Sequence, residues 1–179
     1  TPFTGSKAQI VAYERDKPDQ MLVGLNLRDR AHFDVFRLNL HTGALEHDTE
    51  NRQNFLRFVA DHSLRVCIAE RYSKNGGQEI LVRDDSASPW RPLISWEAED
   101  GMGAAAAFAP DNETLYILSG LGNETTRLLG VNIRTGQRIA LANDPQYDLE
   151  GIITHPRTHE LLAVAVDREK PDYFSMDPE

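Results

Sequence analysis

Hydrophobic and polar positions alternate over short stretches along most of the chain, and turn-forming residues close each stretch. From Gly103 to Pro145 the pattern is complete. Ala104 to Ala109 is a run of small residues that ends at Pro110-Asp111-Asn112, Thr114 to Ser119 is almost continuously apolar, and Leu129, Val131 and Ile133 share one parity within Arg127 to Ile133. Thr135-Gly136 then turns the chain into Arg138 to Leu141. Alternate side chains leave a strand on opposite faces, so the parity predicts strands, and the continuous run predicts a second strand covered on both faces. The stretch reads as one four-stranded antiparallel meander.

The rest of the chain repeats it. Leu38-Asn39-Leu40-His41-Thr42-Gly43 matches Val131-Asn132-Ile133-Arg134-Thr135-Gly136 at an offset of 93 residues, with the turn Ser86-Ala87-Ser88-Pro89 halfway between them. The period is therefore about 46 residues, the length of a propeller blade. Turns between first and second strands fall in step at Asp16-Lys17-Pro18-Asp19, Asp61-His62-Ser63, Pro110-Asp111-Asn112 and His155-Pro156-Arg157-Thr158. Residues 8–50 carry strands at Ala8 to Glu14, Met21 to Asn26, Asp34 to Leu40 and Ala44 to Asp48. Residues 54–97 carry Phe55 to Ala60, Leu64 to Arg71, Gln78 to Arg83 and Arg91 to Trp96, with Asn75-Gly76 signalling a type I′ hairpin turn. Residues 103–143 are the complete meander, and 148–179 hold Leu149 to Thr154, Leu161 to Val166 and an unfinished strand at Tyr173 to Met176. Asn51 to His62 has Phe55, Phe58 and Val59 at helical spacing, but its place at the start of a repeat favours a strand. The expectation is an all-β chain forming one partial β-propeller domain over 1–179, about three and a half consecutive four-stranded antiparallel blades. Thr1-Pro2-Phe3 reads as the tail of an earlier blade, so the chain reads as cut at both ends. Open terminal blades then predict a homodimer through them, with Tyr173 to Met176 completing a sheet.

Composition narrows the function classes. Nineteen basic against 28 acidic side chains give a net charge of -9, which opposes binding to nucleic acid or to an anionic membrane surface. No apolar stretch approaches the ~20 residues of a membrane-spanning helix. Cys67, the single cysteine, lies in the apolar run Leu64 to Ala69 and reads as a buried inert thiol. The N-terminal TPFTGSKAQ has no signal-peptide core, and the expected location is the cytoplasm.

Candidate chemistry is sparse. His155 and His159 have the spacing of two metal ligands on a helix, but Pro156 between them marks a hairpin turn, and no metal site is expected. Glu97, Glu99 and Asp100 lack calcium-loop spacing and read as a solvated turn. Gly120-Leu121-Gly122 and Gly101-Met102-Gly103 lack the third glycine and following helix of a phosphate loop, and no cofactor is expected. Asn112-Glu113-Thr114 and Asn123-Glu124-Thr125 match glycosylation sequons but fall in polar turns. The charged loop Asn26 to Asp34 is the most informative stretch. Its Arg28, Asp29, Arg30, His32 and Asp34 are the candidate polar site, able to form an anionic-substrate site or to pair among themselves and with loop backbone. No Gly-Xaa-Ser-Xaa-Gly elbow is present, and no serine sits in a strand-turn-helix context that would activate it.

The stretches LVGLNLRDRAHFDVFRLNLHTG, ILVRDDSASPWRPLISW, LYILSGLGNETTRLLGVNIRTG and NDPQYDLEGIITHP resemble the N-terminal propeller of the prolyl oligopeptidase family of serine peptidases, particularly its acylaminoacyl-peptidase and dipeptidyl-aminopeptidase-like members. The Asn-Xaa-Arg-Asp stretch, the Arg-Asp-Asp before Trp90 and the Asp-Pro-Xaa-Tyr-Asp junction occur in the same order. In that family a seven- or eight-bladed propeller caps an α/β-hydrolase domain that carries a Ser-Asp-His triad. The resemblance thus implies a non-catalytic portion that gates peptide access to a hydrolase domain, with that domain and the remaining blades as its partners. The alternative is a propeller scaffold that binds a protein or glycan and has no tie to peptidase activity.

Overall fold

The structure, a computed structural model, describes residues 3–100, 103–170 and 172–176. Four sheets of consecutive strands account for the described residues. The first holds β1 (Ala8–Tyr13), β2 (Gln20–Asp29), β3 (His32–Asn39) and β4 (Leu45–Thr49) in that order. The second holds β5 (Arg57–Ala60), β6 (Val66–Tyr72), β7 (Gln78–Val82) and β8 (Arg91–Trp96). The third holds β9 (Gly103–Phe108), β10 (Thr114–Ser119), β11 (Arg127–Asn132) and β12 (Arg138–Ala142), and the fourth β13 (Leu149–Thr154), β14 (Leu161–Val166) and β15 (Asp172–Ser175). Among the described residues there is no helix. Each sheet is a meander, and the fold is a partial β-propeller. Of the expected strand tail at Thr1 to Phe3, Thr1 and Pro2 lie outside the described residues, and the Phe3 carbonyl accepts from Ser6 N and Oγ in a turn. Gly101 and Met102, two of the three residues of one glycine turn, also lie outside them, as do Pro171 and Asp177 to Glu179.

First strands begin at Ala8, Arg57, Gly103 and Leu149, which reproduces the sequence period. Second strands are interior to their sheets and the most continuously apolar. Leu22, Val23 and Leu25 of β2 are buried on both faces, as are Leu115, Tyr116 and Ile117 of β10. Asn51 to His62, with its helical spacing, forms β5. That strand starts two residues later than the sequence suggests, because the Asn51 carboxamide accepts from Phe55 N at 2.8 Å and donates to Phe55 O at 2.8 Å. The Phe55 backbone is thereby tied to Asn51.

Two expectations about turns are corrected. Asn26 to Asp34 is not a loop: β2 runs on to Asp29, shifts register between Leu25 and Asp29, and turns at Arg30 and Ala31 so that Asp29 pairs with His32. The Asn26 side chain supports the irregularity, accepting from Lys7 N at 2.6 Å and donating to Arg30 O at 3.0 Å. Nor is Asn75-Gly76 a type I′ turn. Gly76 has φ +83 but Asn75 is not among the positive-φ residues, and Gly76 N donates to Ser73 O while Ser73 N donates to Gly77 O. The left-handed residue therefore follows the turn instead of lying at its centre.

The matched turns at residues 38–43 and 131–136 share the backbone N–H bonds that define them. Asn39 Oδ1 accepts from His41 N (3.0 Å) and Thr42 N (2.9 Å), and Asn132 Oδ1 accepts from Arg134 N (3.0 Å) and Thr135 N (2.9 Å). Gly43 N donates to Asn39 O and Gly136 N to Asn132 O, with both glycines left-handed at φ +71 and +73. A side-chain acceptor followed by a residue free to take positive φ is what this turn requires.

The chain divides into two compact units, residues 1–71 with 81–91, and residues 72–80 with 92–179. In the first, Leu22, Val35, Phe55, Phe58, Leu64, Val66, Ala69 and Leu81 form one core, against which Trp90 packs. In the second, Ala109, Tyr116, Leu128, Leu149, Val164 and Val166 do so, with Phe174 alongside. Each fully buried aliphatic side chain contributes roughly 1.5–3 kcal/mol of apolar transfer. Among the described residues, no helix is long and apolar enough to cross a membrane.

Candidate functional site

The five polar residues singled out in the sequence fall on one hairpin but form two separate pairs and an outlier. Arg28, on the extended end of β2, makes a two-pronged contact with Asp34 on β3: Nε to Oδ2 and Nη2 to Oδ1, each 2.9 Å. Asp34 is buried, and its Oδ1 also accepts from Asn51 N at 2.7 Å. Arg28 Nη2 reaches on to Asn51 O (3.0 Å), while its Nε lies 3.3 Å from Glu50. Burial pushes the Asp34 carboxyl up, but the Arg28 hydrogen bonds and the Asn51 N–H outweigh it and hold the group below its ordinary value. The same pairing raises Arg28. This is a charge-assisted clamp that fixes the hairpin to the β4–β5 connection.

Asp29 and His32 form the second pair, with Nδ1 and Oδ2 2.7 Å apart across the turn. Asp29 is lowered first by Ala31 N–H and then by His32. Arg30 points elsewhere, donating to Thr4 O at 3.3 Å. Of the anchored charges, Arg28 keeps 44% of its side chain exposed, so the hairpin presents a fixed cation to solvent beside a buried carboxylate.

Two arginine sites escape simple sequence reading. Arg83 is buried at the end of β7, stacked 4.5 Å from the Trp90 ring centroid, and donates to Val66 O (2.8 Å), Ser86 O (3.3 Å) and Thr49 Oγ1. Burial pushes it below the ordinary arginine value. Its sequence signal is the Arg-Asp-Asp stretch, which the charge pattern alone assigns to a turn. Arg168 sits between the rings of Tyr147 and Phe174, 5.3 Å from each, and bridges Asp144 (2.9 Å) and Asp172 (2.7 Å). With Glu169 and Lys170, the residues Tyr147, Arg168 and Asp172 line an open hollow of about 520 Å³. Asp144 is lowered by Gln146 N–H first and Arg168 second. Asp144 and Tyr147 belong to the Asp-Pro-Xaa-Tyr-Asp junction, whose partner lies 24 residues away.

The remaining candidates lie in turns or in the core. His155 and His159 lie in a turn, as Pro156 indicates, and His155 Nδ1 accepts from Thr158 N at 3.0 Å. Asp100 accepts from Glu97 N in the acidic turn. Burial pushes the Cys67 thiol up to about 12, far from a reactive thiolate.

No family model matches the chain. Dipeptidyl aminopeptidase BIII of Pseudoxanthomonas mexicana is 26% identical over 179 residues, an alignment that covers 99% of this chain. The resemblance to prolyl oligopeptidase family peptidases is borne out. The chain spans about a quarter, 26%, of that relative's length. Among solved structures, TolB from Acinetobacter baumannii matches with a TM-score of 0.57 and 14% identity, over 95% of this chain and 44% of that one. A chain of a nidogen/laminin complex matches with a TM-score of 0.52 and 14% identity, over 87% of this chain and 56% of that one. These two likenesses show the β-propeller fold.

Proposed function

We propose that this chain is the non-catalytic propeller portion of a serine peptidase, and that it gates the access of peptides to a hydrolase domain encoded elsewhere in the same protein. The observation that carries this reading is the alignment with a dipeptidyl aminopeptidase along 99% of the chain, coinciding with four meander sheets. The site geometry agrees with it. Asp34, Asp29, Asp144 and Asp172 are engaged with Arg28, His32 and Arg168, and the Cys67 thiol is buried. None of these groups is arranged as a nucleophile backed by a base. A propeller in such a protein contributes by excluding water and by selecting peptides by size, so its chemistry is steric. Arg28, exposed yet held in place, is the residue of this hairpin we assign to any polar contact with a peptide.

Two experiments test the proposal. The coding sequence beyond residue 179 is expected to encode a Gly-Xaa-Ser-Xaa-Gly elbow followed by Asp and His; a frame that ends without them overturns the peptidase assignment. The 179-residue chain is expected to stay unlabelled by a fluorophosphonate probe, and stoichiometric labelling of one of its serines overturns the non-catalytic role.

A further inference from the structure

The structure assigns a self-modification site to the tip of the β6–β7 hairpin, where the Asn75 carboxamide is converted to aspartate and isoaspartate by the backbone nitrogen of Gly76 and then by water. Asparagine is a chemically labile side chain, and Asn75 is the one of nine asparagines that precedes a glycine. Asn75 and Gly76 are both exposed, and a Cβ on Gly76 would meet nothing within 4 Å. No side chain at Gly76 obstructs the approach of its nitrogen to Asn75 Cγ, and the tip has room for water. Among the described residues, the Asn75 carboxamide has no hydrogen-bond partner. The attacking nitrogen is held loosely, since Gly76 N donates to Ser73 O at 3.2 Å, the long end of the N–H···O range. Other asparagines are engaged and precede residues with side chains. Asn39 and Asn132 accept from turn amides, Asn51 is tied to Phe55, Asn26 to Lys7 and Arg30, and Asn123 to Thr125.

The reaction balances with water as its co-reactant. Gly76 N gives its proton to solvent and bonds to Asn75 Cγ. The Cγ–Nδ2 bond breaks, the nitrogen leaves as ammonia, and a cyclic imide spans the two residues. Water then adds to either imide carbonyl. Cleavage at Cγ yields aspartate in an unchanged main chain. Cleavage at the main-chain carbon of Asn75 leaves Gly76 joined through Cγ, an isoaspartate that lengthens the main chain by one methylene. The net change is the loss of ammonia and the gain of water. The β7 side of the turn cannot absorb the added length, because Gly77 is buried and a Cβ there would lie 1.9 Å from the Trp96 carbonyl oxygen. The base of the turn is also closed, with Ser73 N donating to Gly77 O at 2.9 Å and Gly77 N to Ser73 Oγ at 3.1 Å. The methylene is therefore accommodated at the exposed tip, where the bond from Gly76 N to Ser73 O gives way, and the new carboxylate stands next to the exposed Lys74.

The test keeps the folded 179-residue chain in mildly alkaline buffer made with heavy-oxygen water and maps its peptides by mass spectrometry. The peptide holding Asn75 is expected to split into aspartate and isoaspartate forms that carry the heavy oxygen, at least about tenfold faster than any peptide holding a hydrogen-bonded asparagine. In the chain unfolded by guanidinium, Asn75 is expected to convert within about tenfold of its folded rate, because the folded turn sets only the Ser73 hydrogen bond against the attack. Asn75 that stays intact in the folded chain overturns the proposal, and so does earlier conversion of a hydrogen-bonded asparagine. Asn75→Gln, whose ring closure needs one more carbon, is expected to leave the position unmodified over the same period. Heavy oxygen entering that variant's side chain at the wild-type rate would mean direct hydrolysis of the amide and would overturn the part given to Gly76.

Discussion

Replacing Gly103 with alanine drives a methyl group into the indole of Trp96. A Cβ at this position falls 2.1 Å from Trp96 Cζ2, 2.5 Å from Cε2 and 2.8 Å from Cη2, all atoms of the six-membered ring. The ring has nowhere to retreat, since Trp96 is 1% exposed and its Nε1 donates to the fully buried Ser119 Oγ at 2.9 Å. Overpacking of this kind costs about 1–3 kcal/mol. Pushing the indole off Ser119 adds roughly 1 kcal/mol or more for a broken buried hydrogen bond. Gly103→Ala should therefore destabilise by about 2–4 kcal/mol, lowering Tm by roughly 5–15 °C in a chain of this size. Urea unfolding monitored by tryptophan fluorescence reads it, and Trp90 remains as a reporter when Trp96 is replaced. The cause is isolated by Trp96→Phe, which lacks the second ring: in that background Gly103→Ala should cost less than about 1 kcal/mol, a coupling of at least about 1 kcal/mol. Gly77 supplies the control. A Cβ there meets the Trp96 carbonyl oxygen at 1.9 Å, a backbone atom that Trp96→Phe leaves in place, so Gly77→Ala should cost the same in both backgrounds. Equal costs for Gly103→Ala with and without the indole would refute the steric reasoning.

Asp34 gives a prediction with a sign. Its carboxyl is lowered in the folded chain, so the folded state binds that proton less readily than the unfolded one, and the stabilisation is complete above the unfolded value of about 4 and is lost as pH falls below it. Asp34→Asn should cost roughly 1–3 kcal/mol at neutral pH and flatten the fall in stability between about pH 5 and pH 3, and an unchanged acid slope in urea titrations would contradict the clamp. Cys67, with its thiol pushed up to about 12 by burial, should resist an aromatic disulfide reagent at about pH 8 in the native chain and react fully in urea. Reaction of the native chain at the rate of a free thiol would show that the site opens.

The period, the meanders and the buried second strands were legible because each is a local pattern. Parity along Leu129, Val131 and Ile133 and the glycines at 43 and 136 act within a few residues of themselves. What stayed hidden depends on residues that meet only after folding. Nothing in Asn26 to Asp34 distinguishes a charged loop from a strand extension, because the deciding bonds run from Asn26 to Lys7 and from Asp34 to Asn51. Phe55 is read as strand from its side chain, while its backbone is claimed by Asn51. The Arg168 site joins residues from 144 to 174, and Gly103 looks like a strand start until Trp96 lies beside it. The dipeptide Asn75-Gly76 was a true turn signal with an ambiguous turn type, since the same letters serve when only the glycine is left-handed.

Every hydrogen-bonded neighbour within the four sheets is also the next strand along the chain. The loops closed in making each sheet are therefore short, and the entropy lost in closing them is small compared with a fold that pairs distant strands. Such a chain has low contact order for an all-β protein. During synthesis, the first meander has all four of its strands outside the ribosome once Thr49 emerges, and each later blade brings its own partners with it. An interior strand thus waits for its second partner only for the time needed to make one strand, not one domain, which limits the window in which nascent chains can pair with one another through it.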